Sequence, residues 1–233
     1  MNSPMNLFRS ILWARLVFVV ASGIFLLLTS ARAEVLASYR APENPLSPSE
    51  GTLWAAAGRI TAGGAVEQPE PAWRIAPEAG NSLNYRLVDP ESILKSAFAT
   101  GWKYTARIRL DPTVASPIDR FVASLGVENQ EKKEAFVLSV RSNEDVGGLF
   151  VEINKKIVPL PDLAADGFHT YAMTYDPQSS TVQLEVDGKA IPEAFPAAPS
   201  DRWFLRWGHS SVAPRGAAEW AFVTFEILPS LQN

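Results

Sequence analysis

Between Gly167 and Gly188 the chain alternates apolar and polar side chains with the period of a β-strand. Tyr171, Met173 and Tyr175 share one face, because successive strand side chains point to opposite sides of the pleat. After a polar turn, Val182, Leu184 and Val186 again face one way, and Gln183, Glu185 and Asp187 the other. The pattern predicts two antiparallel strands, packed on one side and wet on the other, with a second turn at Asp187-Gly188. The same alternation recurs upstream, where Trp102, Tyr104, Ala106, Ile108 and Leu110 interleave with Lys103, Thr105, Arg107 and Arg109. Further strands are predicted over Glu34–Arg40, Ala72–Ala76, Leu83–Val88, Phe121–Val127, Ala135–Arg141, Leu149–Asn154 and Arg202–Gly208. Glu219–Leu228 is nearly all apolar and reads as a strand covered on both faces. One helix is expected, over Glu91–Phe98, with Asp89 as its cap and Pro90 at its first position. About a dozen short strands separated by turn signals give an all-β chain, a sandwich or a barrel.

The N-terminus changes the picture of where the protein works. Arg9 and Arg15 precede an apolar run from Leu16 to Leu28, and Ala31-Arg32-Ala33 places small residues where a signal peptidase reads. The run is shorter than the ~20 residues a spanning helix needs. Residues 1–33 are therefore expected to be a secretory signal cleaved before Glu34, leaving no stable membrane span and a secreted, periplasmic or envelope protein. The mature segment, 34–233, is long enough for one β-sandwich domain, and it contains no internal repeat and no linker.

That segment carries 18 basic against 25 acidic residues, a net charge of −7. An acidic exported chain is a poor match for nucleic acid, whose binding rests on phosphate neutralisation. There is no cysteine, so disulfides, thiol catalysis and cysteine metal sites are all excluded.

Candidate chemistry is sparse. Glu185 and Asp187 would share a face as two-carboxylate hydrolysis requires, but Ala190 stands where a third acid would follow, and Asp187-Gly188 is foremost a turn signal. His169 and His209 are the only histidines, and no Gly-x-Ser-x-Gly elbow accompanies them. His169 opens a strand and is expected to bond locally, whereas His209 lies beside Trp207 in a polar loop and is a ligand-binding candidate. Asn143-Glu144-Asp145 with Gly147-Gly148 offers oxygen ligands for calcium, without the spacing of a dedicated loop. Arg107, Arg109, Arg141 and Arg206 occupy strand positions expected to face solvent, where they would bind acidic sugars through paired hydrogen bonds. Trp54, Trp73 and Trp207 are candidate platforms for sugar rings.

Several of these segments, in order, resemble one known family. They are Tyr39, then Pro45-Leu46 running on to Trp54; the strand Gly101 to Arg109 after a short helix; the hairpin through Asp187-Gly188; the run Arg206 to Ser211; and Glu219 to Val223. Together they resemble the concanavalin A-like lectin/glucanase superfamily, nearest to its laminin G-like branch, in which a serine-rich loop precedes a Trp-bearing last strand, as Trp207 to Trp220 does here. The resemblance implies an antiparallel two-sheet jelly-roll sandwich with one short helix, and a ligand at the concave face or rim loops. It also implies calcium at a rim as a known option of the branch, and no other cofactor. The expected function is a non-catalytic carbohydrate-binding module for a glycan or envelope polysaccharide. A diverged glycoside hydrolase or polysaccharide lyase of the same fold, and an envelope protein-interaction module, are the alternatives. The expected ligand-binding residues are Arg107, Arg109, Arg141, Arg206, Trp207 and His209, with no catalytic set.

Overall fold

The structure is a computed structural model, and it describes residues 33–48, 52, 54–58, 63–67, 69–76, 83–111, 123–143, 148–164, 166–209 and 216–229. Its strands form two antiparallel sheets. The A sheet runs, in spatial order, β13 (Lys189–Pro196), β12 (Thr181–Val186), β11 (His169–Asp176), β6 (Trp102–Asp111), β16 (Ala217–Ile227), β4 (Ala72–Ile75) and β3 (Gly63–Val66). The B sheet runs β10 (Lys156–Leu160), β9 (Gly148–Ile153), β8 (Glu134–Asn143), β7 (Ala123–Asn129), β15 (Phe204–His209), β5 (Leu83–Leu87) and β2 (Trp54–Gly58). Two further strands lie off these paths: β1 (Glu34–Arg40) on β16, and the two-residue β14 (Ala198–Pro199) on β8. The arrangement is a jelly-roll sandwich of the lectin type.

Alternation builds the interior. Trp102, Tyr104, Ala106, Ile108 and Leu110 of β6 all point between the sheets, level with Tyr171, Met173 and Tyr175 of β11. From the B sheet, Leu125, Val127, Phe136, Leu138, Leu205 and Trp207 close on them. Each large side chain so buried contributes roughly 1.5–3 kcal/mol. Two aromatic clusters anchor the layer. Trp102 stacks on Tyr175 at 5.4 Å, and Phe98 joins them from 4.9 Å. Trp207 lies 4.7 Å from Tyr39, 4.6 Å from Tyr85 and 5.2 Å from Trp220.

Phe98 belongs to α1 (Glu91–Thr100), which turns Leu94, Ala97 and Phe98 into the core. Its start corrects the expected Asp89 cap. Pro90 is the N-cap and no side chain caps the helix, because Asp89 takes φ 49°. A capping carboxylate works from extended backbone, not from the left-handed region.

The two strands expected at Ala72 and Leu83 fall in different sheets, β4 in the A sheet and β5 in the B sheet. β16 is covered on both sides only in part: its interior face carries Trp220, Val223 and Phe225, while Glu219, Phe222, Thr224 and Glu226 face outward. A register shift between Trp220 and Phe222 lets one edge of β16 serve β4 at its start and β1 further along.

Cross-links join the sheets. Trp54 Nε1 donates to Ser38 O at 3.0 Å, and Tyr104 Oη donates across the sandwich to Arg206 O at 2.9 Å. At the β13–β10 side, Lys156 pairs with Glu193, and Asn154 Nδ2 donates to Pro196 O at 2.8 Å.

Candidate functional site

The four arginines singled out from the sequence divide between the two outer faces. Arg107 and Arg109 leave β6 on the exterior of the A sheet. Arg107 grips Glu70 with two hydrogen bonds, of 2.8 and 3.2 Å, and donates a third to Phe168 O at 3.2 Å. Arg109 donates to Glu219 Oε2 from two nitrogens, at 2.8 and 2.5 Å. The Phe168 ring lies 5.5 and 5.2 Å from their guanidinium carbons, and Arg74 pairs with Asp111 at 2.8 Å nearby. The two candidates do converge, but each already has a carboxylate partner.

Arg141 and Arg206 share the outer face of the B sheet. The expectation that Arg141 faces solvent is corrected: it is 6 % exposed, lies over Phe150, and pairs with Glu152 at 2.6 Å. Arg206 differs. Its register partner on β5 is Arg86, and among the described residues neither guanidinium has a carboxylate within ion-pair distance. Phe204, two residues before Arg206 on the same face, contacts both, its ring centre 4.5 Å from the Arg86 guanidinium carbon and 4.9 Å from that of Arg206. Arg86 is exposed, and Phe204 and Arg206 are half-buried.

Two backbone features seat Arg206. On the neighbouring strand β7, its register partner is Gly126, where a Cβ would stand 2.7 Å from Arg206 Nε and 3.0 Å from its Cγ. The side chain therefore lies flat across a gap that only glycine leaves. Beneath it, Tyr104 holds the Arg206 carbonyl from the opposite sheet. Burial is the main influence on the Arg206 guanidinium and lowers its pKa; Glu128 opposes that shift, while Arg86 and Arg202 add to it. An arginine stays charged regardless.

Trp207 and His209 point the other way. Alternation along β15 sends Arg206 outward and Trp207 inward, where it is 0 % exposed and offers no ring face to a ligand. His209 is 1 % exposed and sits opposite Leu83 in the inner layer. Trp54 and Trp73 are also core residues, Trp73 donating to Tyr85 Oη at 2.7 Å. Among the described residues, partly exposed aromatic rings are instead Phe168, Phe204, Phe222 and Trp203, the last lining a shallow cleft with Asp89, Ser92 and Lys95 at the start of α1.

The remaining polar candidates are engaged in structure. Glu185 pairs with Lys103 at 3.2 Å. Asp187 enters the turn at φ 50°, where alternation ends, and its carboxylate meets His169 Nδ1 at 2.7 Å and the Thr170 amide at 2.8 Å. His169 Nε2 lies 2.8 Å from Ala164 O, the local bonding expected of it. Desolvation pushes the Asp187 carboxyl up, but the Thr170 amide and the His169 ring outweigh it and hold it below the ordinary aspartate value. Among the described residues, no three acidic or histidine side chains converge to hold a metal. The calcium candidates Glu144, Asp145 and Gly147 lie outside the described residues, as does the side chain of Asn143. No helix among the described residues is long and apolar enough to cross a membrane.

Sequence reasoning missed Arg86, Phe204 and Gly126. Their signal was present as alternation: Arg86 lies between inward Tyr85 and Leu87, and Phe204 two residues before Arg206. What one sequence does not contain is the register that sets β5 and β7 on either side of β15.

No protein-family model matches the chain, and no curated protein matches it. Solved structures do match. The carbohydrate esterase of the Shiga toxin-encoding bacteriophage phi24B aligns with a TM-score of 0.58 at 17 % identity, over 85 % of this chain and 100 % of its own. Peanut lectin aligns at 0.52 and 12 % identity, over 84 % and 97 %. The binding domain of botulinum neurotoxin serotype D aligns at 0.51 and 8 % identity, over 83 % of this chain and 48 % of that one. These likenesses establish the lectin-type, concanavalin A-like fold.

Proposed function

We propose that this chain is an exported carbohydrate-binding domain, with residues 1–33 a cleaved leader and 34–233 a laminin G-like sandwich that recognises glycans without altering them. The observation that carries the reading is Phe204, a partly exposed ring on an outer sheet face, set against two arginines that have no carboxylate partner among the described residues. Aromatic surface bordered by directional donors is what a sugar ring with hydroxyls on its edge requires. The lectin-type fold supports the reading, because it presents a broad sheet face on which such groups stand side by side. Glu185 and Asp187, each held by a basic partner, support recognition over two-carboxylate hydrolysis.

Isothermal titration of the 34–233 protein against a glycan panel tests this. Binding is expected for at least one class, and Phe204→Ala should weaken it by about tenfold, which is ~1.4 kcal/mol. A wild-type protein that binds no glycan at millimolar concentration would refute the proposal. N-terminal sequencing of the exported protein should begin at Glu34.

A further inference from the structure

We propose that the Arg86–Phe204–Arg206 cluster selects an anionic sugar, one bearing a carboxylate or sulfate group, over its neutral counterparts; this rests on the glycan-binding reading above. Charge around this cluster is unbalanced. On the A sheet, Arg74, Arg107 and Arg109 each contact a carboxylate, as Arg141 does on the B sheet. Arg86 and Arg206 break that rule. They are direct cross-strand partners, an arrangement of like charges that disfavours pairing. The nearby carboxylate relieves it only in part, because Glu128 accepts from Ser200 Oγ at 2.7 Å and pairs with Arg202 at 3.4 Å. Arg202 takes both nearby carboxylates, Glu128 at 3.4 Å and the fully exposed Asp201 at 3.9 Å, which leaves Arg86 and Arg206 with neither as an ion-pair partner.

Donor capacity is also left over. Arg86 Nε donates to Asn84 Oδ1 at 3.1 Å, a neutral acceptor, and Arg206 Nε is buried with no hydrogen-bond partner. A planar oxyanion accepts from two guanidinium forks at once and cancels their repulsion, whereas sugar hydroxyls fill donors without cancelling charge. Phe204 packs against both arms, its ring centre within 5 Å of each guanidinium carbon, so that the forks are arranged before the ligand arrives.

The test uses titration of the 34–233 protein with three probes: tetragalacturonate, its fully methyl-esterified form, and a sulfated carrageenan tetrasaccharide. One anionic probe is expected to bind at least about tenfold more tightly than the ester, and the advantage should shrink as salt rises from about 20 to about 300 mM. Which anionic probe is preferred distinguishes carboxylate from sulfate. Arg206→Gln and, separately, the exposed Arg86→Gln should each remove about tenfold of that affinity. Arg107→Gln, on the opposite sheet, should leave it unchanged. Should the ester bind as tightly as both anionic probes, glycan recognition survives and the charge inference fails. Should no glycan bind, both fail. Anion binding indifferent to both Arg86→Gln and Arg206→Gln would overturn the placement.

Discussion

An added methyl at Gly126 would meet Arg206 Nε at 2.7 Å, while the Gly126 backbone does not lie in the left-handed region. Gly126→Ala is therefore compatible with the strand and acts on the flexible arm above it. The expected outcome is near-normal thermal stability with affinity reduced about tenfold, read by titration beside a melting curve. Asp187 gives a second prediction at this scale. Its folded carboxyl is held below the ordinary aspartate value, so its stabilising bonds to Thr170 and His169 are complete above the ordinary aspartate range. They are lost as pH falls through and below that range. Asp187→Asn should flatten this part of the acid-unfolding profile; an unchanged profile would refute it. Both histidines show what a sequence reveals about a single residue. The local bonding of His169 followed from its place at a strand start, whereas His209 was assigned to a loop and lies in a strand, facing inward.

At the scale of elements, the hairpin signal at Asp187-Gly188 was legible because few residues tolerate its backbone. Both take positive φ, 50° and 74°, as a two-residue hairpin loop requires. Gly188→Val is expected to cost ~1–3 kcal/mol, since a β-branched residue is strained there, and chemical denaturation would measure it. The strands β6, β11 and β12 were readable for a related reason: apolar residues on one face alternate with mostly polar ones on the other. β2 and β3 were not. Trp54-Ala-Ala-Ala-Gly58 and Gly63-Gly-Ala-Val66 contain too little side chain for two faces to differ, and they are strands because β5 and β4 pair with them. β13 was hidden by Pro192 and by its mostly exposed positions, both fitting for an edge.

At the scale of the whole molecule, two stacked antiparallel layers were legible, and the convergence of side chains on one face was not. Arg86 and Arg206 come from distant parts of the chain and meet only through the B-sheet order β7-β15-β5. The tryptophans misled for a physical reason: a two-sheet core needs bulk, and large rings such as Trp54, Trp102, Trp207 and Trp220 fill it before any ligand has use of them. One bond through that core couples its two halves. Tyr104→Phe removes the hydroxyl held by the Arg206 carbonyl and should destabilise the protein by ~1–3 kcal/mol, checked by denaturant unfolding. The same loss would free the backbone under the guanidinium. A random library sorted for weakened sugar capture should therefore yield Tyr104 alongside Arg86 and Phe204, although no saccharide could ever reach that phenol.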